Sequence, residues 1–127
     1  MLNIGIKGNK SIVVEEGNTA SAFGSGDLPV FGTPAMIALM EATALDSVKA
    51  YLEEGFSTVG TLVEIKHLSA TPLGMTIHCE SELIEVDRKR LVFKVSAYDE
   101  AGLIGEGIHE RFIIHKEKFL TKAENKC

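Results

Sequence analysis

The sequence predicts an α+β domain in which one antiparallel sheet wraps around one long helix. Residues 33–52 have helical spacing and begin with a strong helix-start signal, Thr33-Pro34. Four segments with the two-residue alternation of half-buried strands come after them, and one extended segment comes before. The turns between the last strands are short, which favours antiparallel pairing, so we expect one curled sheet that covers the helix.

The elements before the sheet are predicted as follows. Residues 3–15 should be extended, residues 19–23 should form one helical turn, and residues 24–29 should form a loop, because Gly and Pro punctuate them. Thr33 is expected to cap a helix of about five turns that stops near Gly55.

The sheet should then form from the rest of the chain. In the first strand, Val59, Val63 and Ile65 are assigned to the face that covers the helix. The charged tail from Lys116 is expected to fray. The four strands are predicted at residues 57–68, 74–86, 90–98 and 103–115.

Composition limits the function classes. The length suits one domain spanning residues 1–127. A net charge of −5 with scattered Lys and Arg lacks the clustered basic face that nucleic acids and anionic membranes require, so we expect neither as a partner. No apolar run approaches the roughly 18 to 20 residues of a membrane span, and no secretory signal is visible.

The cysteines and histidines give a further expectation. Cys79 and Cys127 do not form a disulfide framework, and such usage suits the reducing cytoplasm. Neither these cysteines nor the four histidines have metal-ligand spacing, so we expect no metal.

Glu41 is the strongest candidate for chemistry. On a helical wheel it lies opposite a polar side that includes Thr43, in a stripe with Ala38 and Leu45. A carboxylate on the core face is costly unless it is paired, and no cation lies on the same stripe. The alternative is a purely structural buried Glu, but buried carboxylates concentrate at functional sites, so we favour a catalytic role.

His67 and Thr33 are the other two candidates. His67 has the parity of Val63 and Ile65, so it should face the helix and could form an acid/base pair with Glu41; the alternative is a satisfied core histidine. Thr33 is a candidate because a helix N-terminus presents free N–H groups where an oxyanion could form, although capping alone also explains it. His109, beside Glu110 and Arg111, is ambiguous.

The spacing within the helix restricts how these residues could meet. Eight helical residues rise about 12 Å, so Thr33 and Glu41 cannot share a hydrogen bond along one regular helix. Either the first turn is irregular, or the substrate spans both residues, or a second subunit completes the site.

Four segments resemble one known family, the hot-dog-fold thioesterases of the fluoroacetyl-CoA thioesterase type. The resemblance extends over roughly residues 10–115, and the spacing from Thr33 to Glu41 (8 residues) and on to His67 (26 residues) matches that family's catalytic triad. The four segments are 24–36 (GSGDLPVFGTPAM) followed by Glu41, 59–61 (VGT) leading to His67, 70–72 (ATP) with Gly74, and 105–111 (GEGIHER).

The resemblance implies a homodimer with two helices packed on a continuous sheet and active sites at the subunit interface. By the family pattern, Thr33, Glu41 and His67 would be catalytic, Gly60 would offer its backbone to the acyl group, and Arg111 would hold the coenzyme A moiety. The implied reaction is hydrolysis of a short-chain acyl-CoA to acid and coenzyme A, which is part of the substrate, so no cofactor is expected.

Two routes for this reaction stay open. Glu41 would attack the thioester carbonyl or activate water, and His67 would act as general base or protonate the departing thiolate. The family's fluoroacetyl-selective enzyme closes its site with aromatic residues before the Thr. This chain has Phe23 and Phe31 there, with Gly24 and Asp27 between them, so the sequence does not predict selectivity for a fluorinated acyl group. The alternatives are a non-catalytic acyl-CoA binding module and an acyl-CoA hydratase or dehydratase on the same fold.

Overall fold

Five antiparallel strands form one sheet that wraps around one long helix. The computed structural model describes residues 1–127. The elements are β1 (Lys7–Val13), α1 (Ala20–Phe23), α2 (Thr33–Val48), β2 (Phe56–His67), β3 (Thr76–Asp87), β4 (Arg90–Asp99), β5 (Gly102–His115) and α3 (Lys116–Glu124). The strands lie in the order β1-β3-β4-β5-β2. The predicted α+β class, with the sheet around one helix, is confirmed.

The buried face of α2 differs from the predicted stripe. Ala38 is exposed, and Glu41 is only partly buried. Thr43, which was assigned to the solvent side, is buried, because its hydroxyl donates to the carbonyl of Leu39 (2.7 Å) and is satisfied inside the helix. Glu41 therefore lies at the border of the buried face. The residues that pack on the sheet are Ala35, Met36, Leu39, Met40, Thr43, Ala44 and Val48.

Both ends of α2 differ from the sequence prediction. The N-cap is Gly32, and Thr33 is the first helical residue, so the expected Thr33 cap is wrong. The α-helix ends at Val48 and continues as a 3₁₀ turn over Lys49–Tyr51. Gly55 does not cap the helix; it lies just before β2 with φ +88°, a conformation that glycine adopts without strain.

A β-bulge in β2 changes which side chains face the helix. The pairing with β5 runs from Gly60 opposite Arg111 to Leu62 opposite Glu110, which leaves Thr61 as an extra residue. Even-numbered residues face inward before the bulge and odd-numbered residues after it. The predicted shared face of Val59 and Val63 is therefore wrong, whereas the inward direction of His67 is correct.

The charged tail forms a helix where fraying was expected. Helix α3 begins directly after β5, and the N–H of Lys116 donates to the carbonyl of Gly55 (3.0 Å). The ring of His115 accepts a long hydrogen bond from the N–H of Lys118 (3.4 Å) and caps the first turn. None of the helices is both long enough and apolar enough to cross a membrane.

The close approach of β1 to α2 yields a stability prediction. A Cβ atom on Gly8 would lie 2.7 Å from Ser47 Cβ and 2.9 Å from the carbonyl oxygen of Thr43. Gly8→Ala should therefore lower the free energy of unfolding by about 1–3 kcal/mol through overpacking. Gly17→Ala, where a Cβ would meet nothing, is the control and should change it by less than about 0.5 kcal/mol. Equal urea midpoints for the two variants would contradict this packing.

Candidate active site

Thr33 and His67 form the first polar group of the site. Thr33 is the first residue of α2 and His67 is the last residue of β2, and Thr33 Oγ1 lies 2.7 Å from His67 Nδ1. The N–H of Phe31 donates to the carbonyl of Thr71 (2.8 Å), which ties the segment before the helix to the loop after β2. Thr33 is exposed, so a ligand can reach its hydroxyl.

His67 is held in a position that favours its neutral form. Burial lowers the pKa of His67 below its ordinary value, and the backbone of Ser69 opposes this shift. Nε2 is buried without a well-aligned hydrogen-bond partner. Nδ1 can accept from the Thr33 hydroxyl in the neutral tautomer that carries its proton on Nε2. The neutral ring can accept a proton, as a general base must.

An open cavity of about 340 Å³ lies over this pair. Thr33 and His67 contribute its reactive side chains. The remaining lining consists of small and apolar residues from the segment before α2 and from the loop after β2, namely Ala20, Ser25, Val30, Phe31, Leu68, Ser69 and Ala70. The arrangement can hold a small ligand beside the Thr33 hydroxyl.

A second polar group surrounds Glu41. Its Oε2 lies 3.9 Å from Nη1 of Arg111, a buried residue of β5. The Arg111 guanidinium is held by Thr58, since Nε donates to Thr58 Oγ1 (2.7 Å) and Nη2 donates to the Thr58 carbonyl (2.8 Å). Burial lowers the pKa of Arg111, and the Glu41 charge opposes that shift.

Gly60 completes the second group by having no side chain. A Cβ atom there would lie 2.8 Å from Glu41 Oε2 and 3.1 Å from Cε1 of His109. The backbone of Gly60 is exposed beside Glu41 and Arg111, and only glycine leaves this space open. The structure thus brings together Glu41 with both residues that the resemblance assigned to substrate binding.

The structure corrects the surroundings predicted for Glu41. Its side chain is 42% exposed in the single chain, so the expectation of a deeply buried carboxylate is wrong here. The reason is the rotation of the buried face of α2 toward Met36 and Met40. A cation is present, but it comes from β5 as Arg111 and not from the helix stripe.

The two polar groups are separate within one chain. α2 is regular from Thr33 onward, which excludes the irregular first turn, so Glu41 lies about 12 Å along the helix from Thr33. The hydrogen bond of His67 goes to Thr33, and the predicted direct pair of His67 with Glu41 is wrong within the chain.

Sequence reasoning left the role of His109 ambiguous, and the structure buries this residue to 1% exposure. Its Nε2 lies 3.1 Å from Arg111 Nη1 and its Nδ1 lies 2.8 Å from the carbonyl oxygen of Leu62. Alternation along β5 was the available signal, because His109 and Arg111 are two residues apart and share a face. No group of three or more His, Cys, Asp or Glu side chains is arranged to hold a metal ion.

Comparison with known proteins relates this chain to one family. A family model described as fluoroacetyl-CoA-specific thioesterase matches residues 14–117. The fluoroacetyl-CoA thioesterase of Streptantibioticus cattleyicolor is 42% identical over 97 residues, which cover 76% of this chain and 70% of that protein.

Solved structures agree with this relationship. A variant of the fluoroacetyl-CoA thioesterase in complex with fluoroacetate has a TM-score of 0.93 at 33% identity, over 99% of both chains. Another variant, in complex with fluoroacetate and CoA, has a TM-score of 0.88 at 35% identity, over 93% of this chain and 99% of that one. A Thermus thermophilus protein of the thioesterase superfamily has a TM-score of 0.89 at 29% identity, over 97% of this chain and 91% of that one.

The lowered pKa values of His67 and His109 predict that acid destabilises the fold. Burial lowers both values, so the unfolded chain binds more protons than the folded chain once the pH falls below the unfolded-state value of about 6.5. The free energy of unfolding should therefore drop between pH about 7.5 and about 5.5. Urea unfolding measures it, and His67→Gln should weaken the pH dependence. An NMR midpoint for His67 at or above about 6.5 would contradict this assignment.

Proposed function

The chain belongs to the fluoroacetyl-CoA-specific thioesterase family, and we propose that it hydrolyses a short-chain acyl-CoA to the free acid and coenzyme A through Thr33, Glu41 and His67. The predicted hot-dog fold and the family resemblance are confirmed. The observation that carries the residue assignment is the 2.7 Å contact of Thr33 with His67 at the start of α2, under an open cavity.

The start of α2 supplies the groups that would polarise the thioester carbonyl. Pro34 has no N–H, and the N–H of Met36 is already bonded to the carbonyl of Gly32 (3.0 Å). The N–H groups of Thr33 and Ala35 therefore remain for a developing oxyanion, together with the Thr33 hydroxyl. One such donor is typically worth about 2.7–4 kcal/mol of transition-state stabilisation.

Glu41 and His67 would divide the proton and carboxylate chemistry. In one route the Glu41 carboxylate attacks the carbonyl carbon; in the other it takes a proton from the attacking water. Both routes need an ionised carboxylate, and Arg111 supplies a positive charge 3.9 Å away. His67 would exchange a proton with the Thr33 hydroxyl or with the leaving thiolate.

A second copy of the chain would bring the Thr33–His67 pair together with the group formed by Glu41, Gly60 and Arg111. Strand β2 lies at the edge of the sheet, and its side chains include exposed Leu62 (39%) and Val63 (42%). A long exposed edge strand with apolar side chains is normally covered. Antiparallel pairing of two β2 strands centred between Val63 and Glu64 would form one continuous sheet and would place Gly60 of one chain opposite His67 of the other. This arrangement would bring Glu41 to the Thr33–His67 pair across a homodimer interface.

The acyl group is proposed to be small and not selected for fluorine. Phe23 is 51% exposed, and Phe31 is buried in the core at the cavity wall. Neither ring covers Thr33, which stays exposed.

The remaining assignments are part of the same proposal. Residues 1–127 would act as one hot-dog domain, with coenzyme A entering as part of the substrate and no separate cofactor. The free thiols of Cys79 and Cys127 suit the reducing cytoplasm. The net charge of −5 does not favour nucleic acid or anionic membrane as a partner.

Release of free thiol from acyl-CoA substrates tests the reaction. The wild-type chain should release coenzyme A from acetyl-CoA and propionyl-CoA, and Glu41→Gln should lower kcat by about 10²-fold or more. Glu54→Gln, an exposed carboxylate beyond α2, is the control and should leave turnover unchanged. Tight binding without thiol release would indicate the binding module, and addition of water to an enoyl-CoA would indicate the hydratase. Near-wild-type turnover by Glu41→Gln would remove Glu41 from the mechanism.

Two substitutions of Thr33 separate its hydroxyl from its place in the helix. Because Gly32 is the N-cap, Thr33→Ala loses no capping hydrogen bond and should unfold close to the wild-type temperature. Its kcat should nevertheless fall by about 10²–10³-fold, whereas Thr33→Ser, which keeps the hydroxyl, should retain much of the activity. Rates measured well below the unfolding temperature decide the matter, and an active Thr33→Ala would mean that the hydroxyl does not meet the thioester.

The proposed interface predicts the mass of the protein in solution. Light scattering at micromolar concentration should give twice the 13.7 kDa mass of the chain. Activity per chain should fall on dilution below the dissociation constant, because each site needs residues from both copies. A fully active monomer would overturn the shared site.

A further inference from the structure

His109 is a buried polar residue that the proposed hydrolysis does not use directly. It lies in β5 opposite Val63 of β2 and Phe93 of β4, and its ring centroid is 6.4 Å from that of Phe93. Its two ring nitrogens contact Leu62 and Arg111, and the Glu41 charge lies close enough to act on its pKa. A buried polar ring is costly unless both nitrogens are satisfied, so these partners determine its state.

The two partners of His109 specify one tautomer. The carbonyl of Leu62 can only accept a hydrogen bond, so Nδ1, at 2.8 Å, must carry the proton. The guanidinium of Arg111 can only donate, so Nε2, at 3.1 Å from Nη1, must present its lone pair. His109 is therefore neutral, with its proton on Nδ1.

The contact to Arg111 orients the guanidinium. Thr58 accepts from Nε and Nη2, and His109 accepts one hydrogen of Nη1. Nη1 carries two hydrogens, and the second is left for the side of Glu41, whose Oε2 is 3.9 Å away. Without an acceptor at His109, the guanidinium would lose the bond that determines which hydrogen faces Glu41.

The contact to Leu62 supports the bulge. The Leu62 carbonyl comes directly after the extra residue Thr61, and the bulge turns Gly60 toward Glu41. The Nδ1–H of His109 satisfies a carbonyl at the point where the strand pairing is interrupted. One ring therefore contacts both structural supports of the Glu41 group.

The charges around His109 keep it neutral. Burial lowers its pKa; the Leu62 carbonyl raises it, Arg111 on the same strand lowers it, and Glu41 on α2 raises it. Thr58 and Val63 on β2 and Phe93 on β4 carry no charge. A protonated ring would place an N–H against the Arg111 N–H, and the two like charges would repel.

We propose that His109 is a positioning residue for the hydrolysis proposed above: its neutral ring holds the Arg111 guanidinium against Glu41 and holds the Leu62 carbonyl in the bulge that presents Gly60. This inference rests on the proposed function, because the groups that His109 positions are assigned there. His109 acts on the reaction through its neighbours and does not touch the substrate.

Three variants separate positioning from core filling. His109→Leu fills the space and keeps neither hydrogen bond, and it should lower kcat/KM by about 10²-fold through displacement of Arg111. His109→Gln can offer an amide oxygen to Arg111 and should recover at least tenfold of that loss, whereas His109→Asn is too short to reach Arg111 and should not. His78→Gln, on the outer face of β3, is the control and should keep wild-type kinetics.

A double-mutant cycle tests whether His109 acts through Arg111. In an Arg111→Ala background, His109→Leu should cause a clearly smaller loss of kcat/KM than in the wild-type background, because only the contact to the Leu62 carbonyl is left to lose. Independent, multiplicative losses would overturn the proposal, since core filling does not depend on Arg111. Should His109→Leu fail to fold, ¹⁵N NMR of the wild-type ring remains decisive: a proton on Nδ1 is expected, and a proton on Nε2 would overturn the assignment.

The outcomes also distinguish this proposal from the one on which it rests. If the wild-type chain releases no thiol from any acyl-CoA, the hydrolysis fails and the role of His109 in it fails as well. If the wild-type chain is active and a folded His109→Leu matches it, only the positioning role is overturned.

Discussion

The β-bulge at Thr61, where pairing of β2 with β5 is interrupted, is the local constraint on which the group of Glu41, Gly60 and Arg111 depends. Without this extra residue, Gly60 and His67 could not both face α2, because they lie seven positions apart in an alternating strand. With this one bulge, β2 places Gly60 beside Glu41 and also places His67 beside Thr33. The hydrogen bond from His109 to the Leu62 carbonyl stabilises the irregularity from the next strand.

Much of the architecture was predictable because it follows from periodicity. The start of α2 and the four later strands were placed within a few residues, and the inward direction of His67 was correct. The partnership of Thr33 with His67 was implied only through the family resemblance, since no local pattern pairs residues so distant in sequence. The fold class needed no more than the order and spacing of apolar residues.

The errors have specific physical causes. The helical wheel treated Thr43 as polar, although its hydroxyl donates to the carbonyl of Leu39 and the residue is 1% exposed. Because of this error, the predicted buried face of α2 was rotated from the true one, and Glu41 was placed too deep in the core. No residue pattern in β2 predicts the bulge, so Val59 was assigned to the wrong face of the sheet. The role of His109 stayed ambiguous because it depends on a tautomer, which only the three-dimensional partners specify.

The cavity over Thr33 and the Glu41 group rest on different kinds of structure, and this has an evolutionary consequence. The cavity wall includes Ala20 and Ser25 from the segment before α2, whereas Arg111 and His109 are buried in β5. Substitutions in this segment can therefore alter which acyl group is accepted without disturbing the buried charges. Under the proposed function, a lineage with this fold can diversify its substrates through residues 20–30 while buried Arg111 and His109 stay under strong constraint.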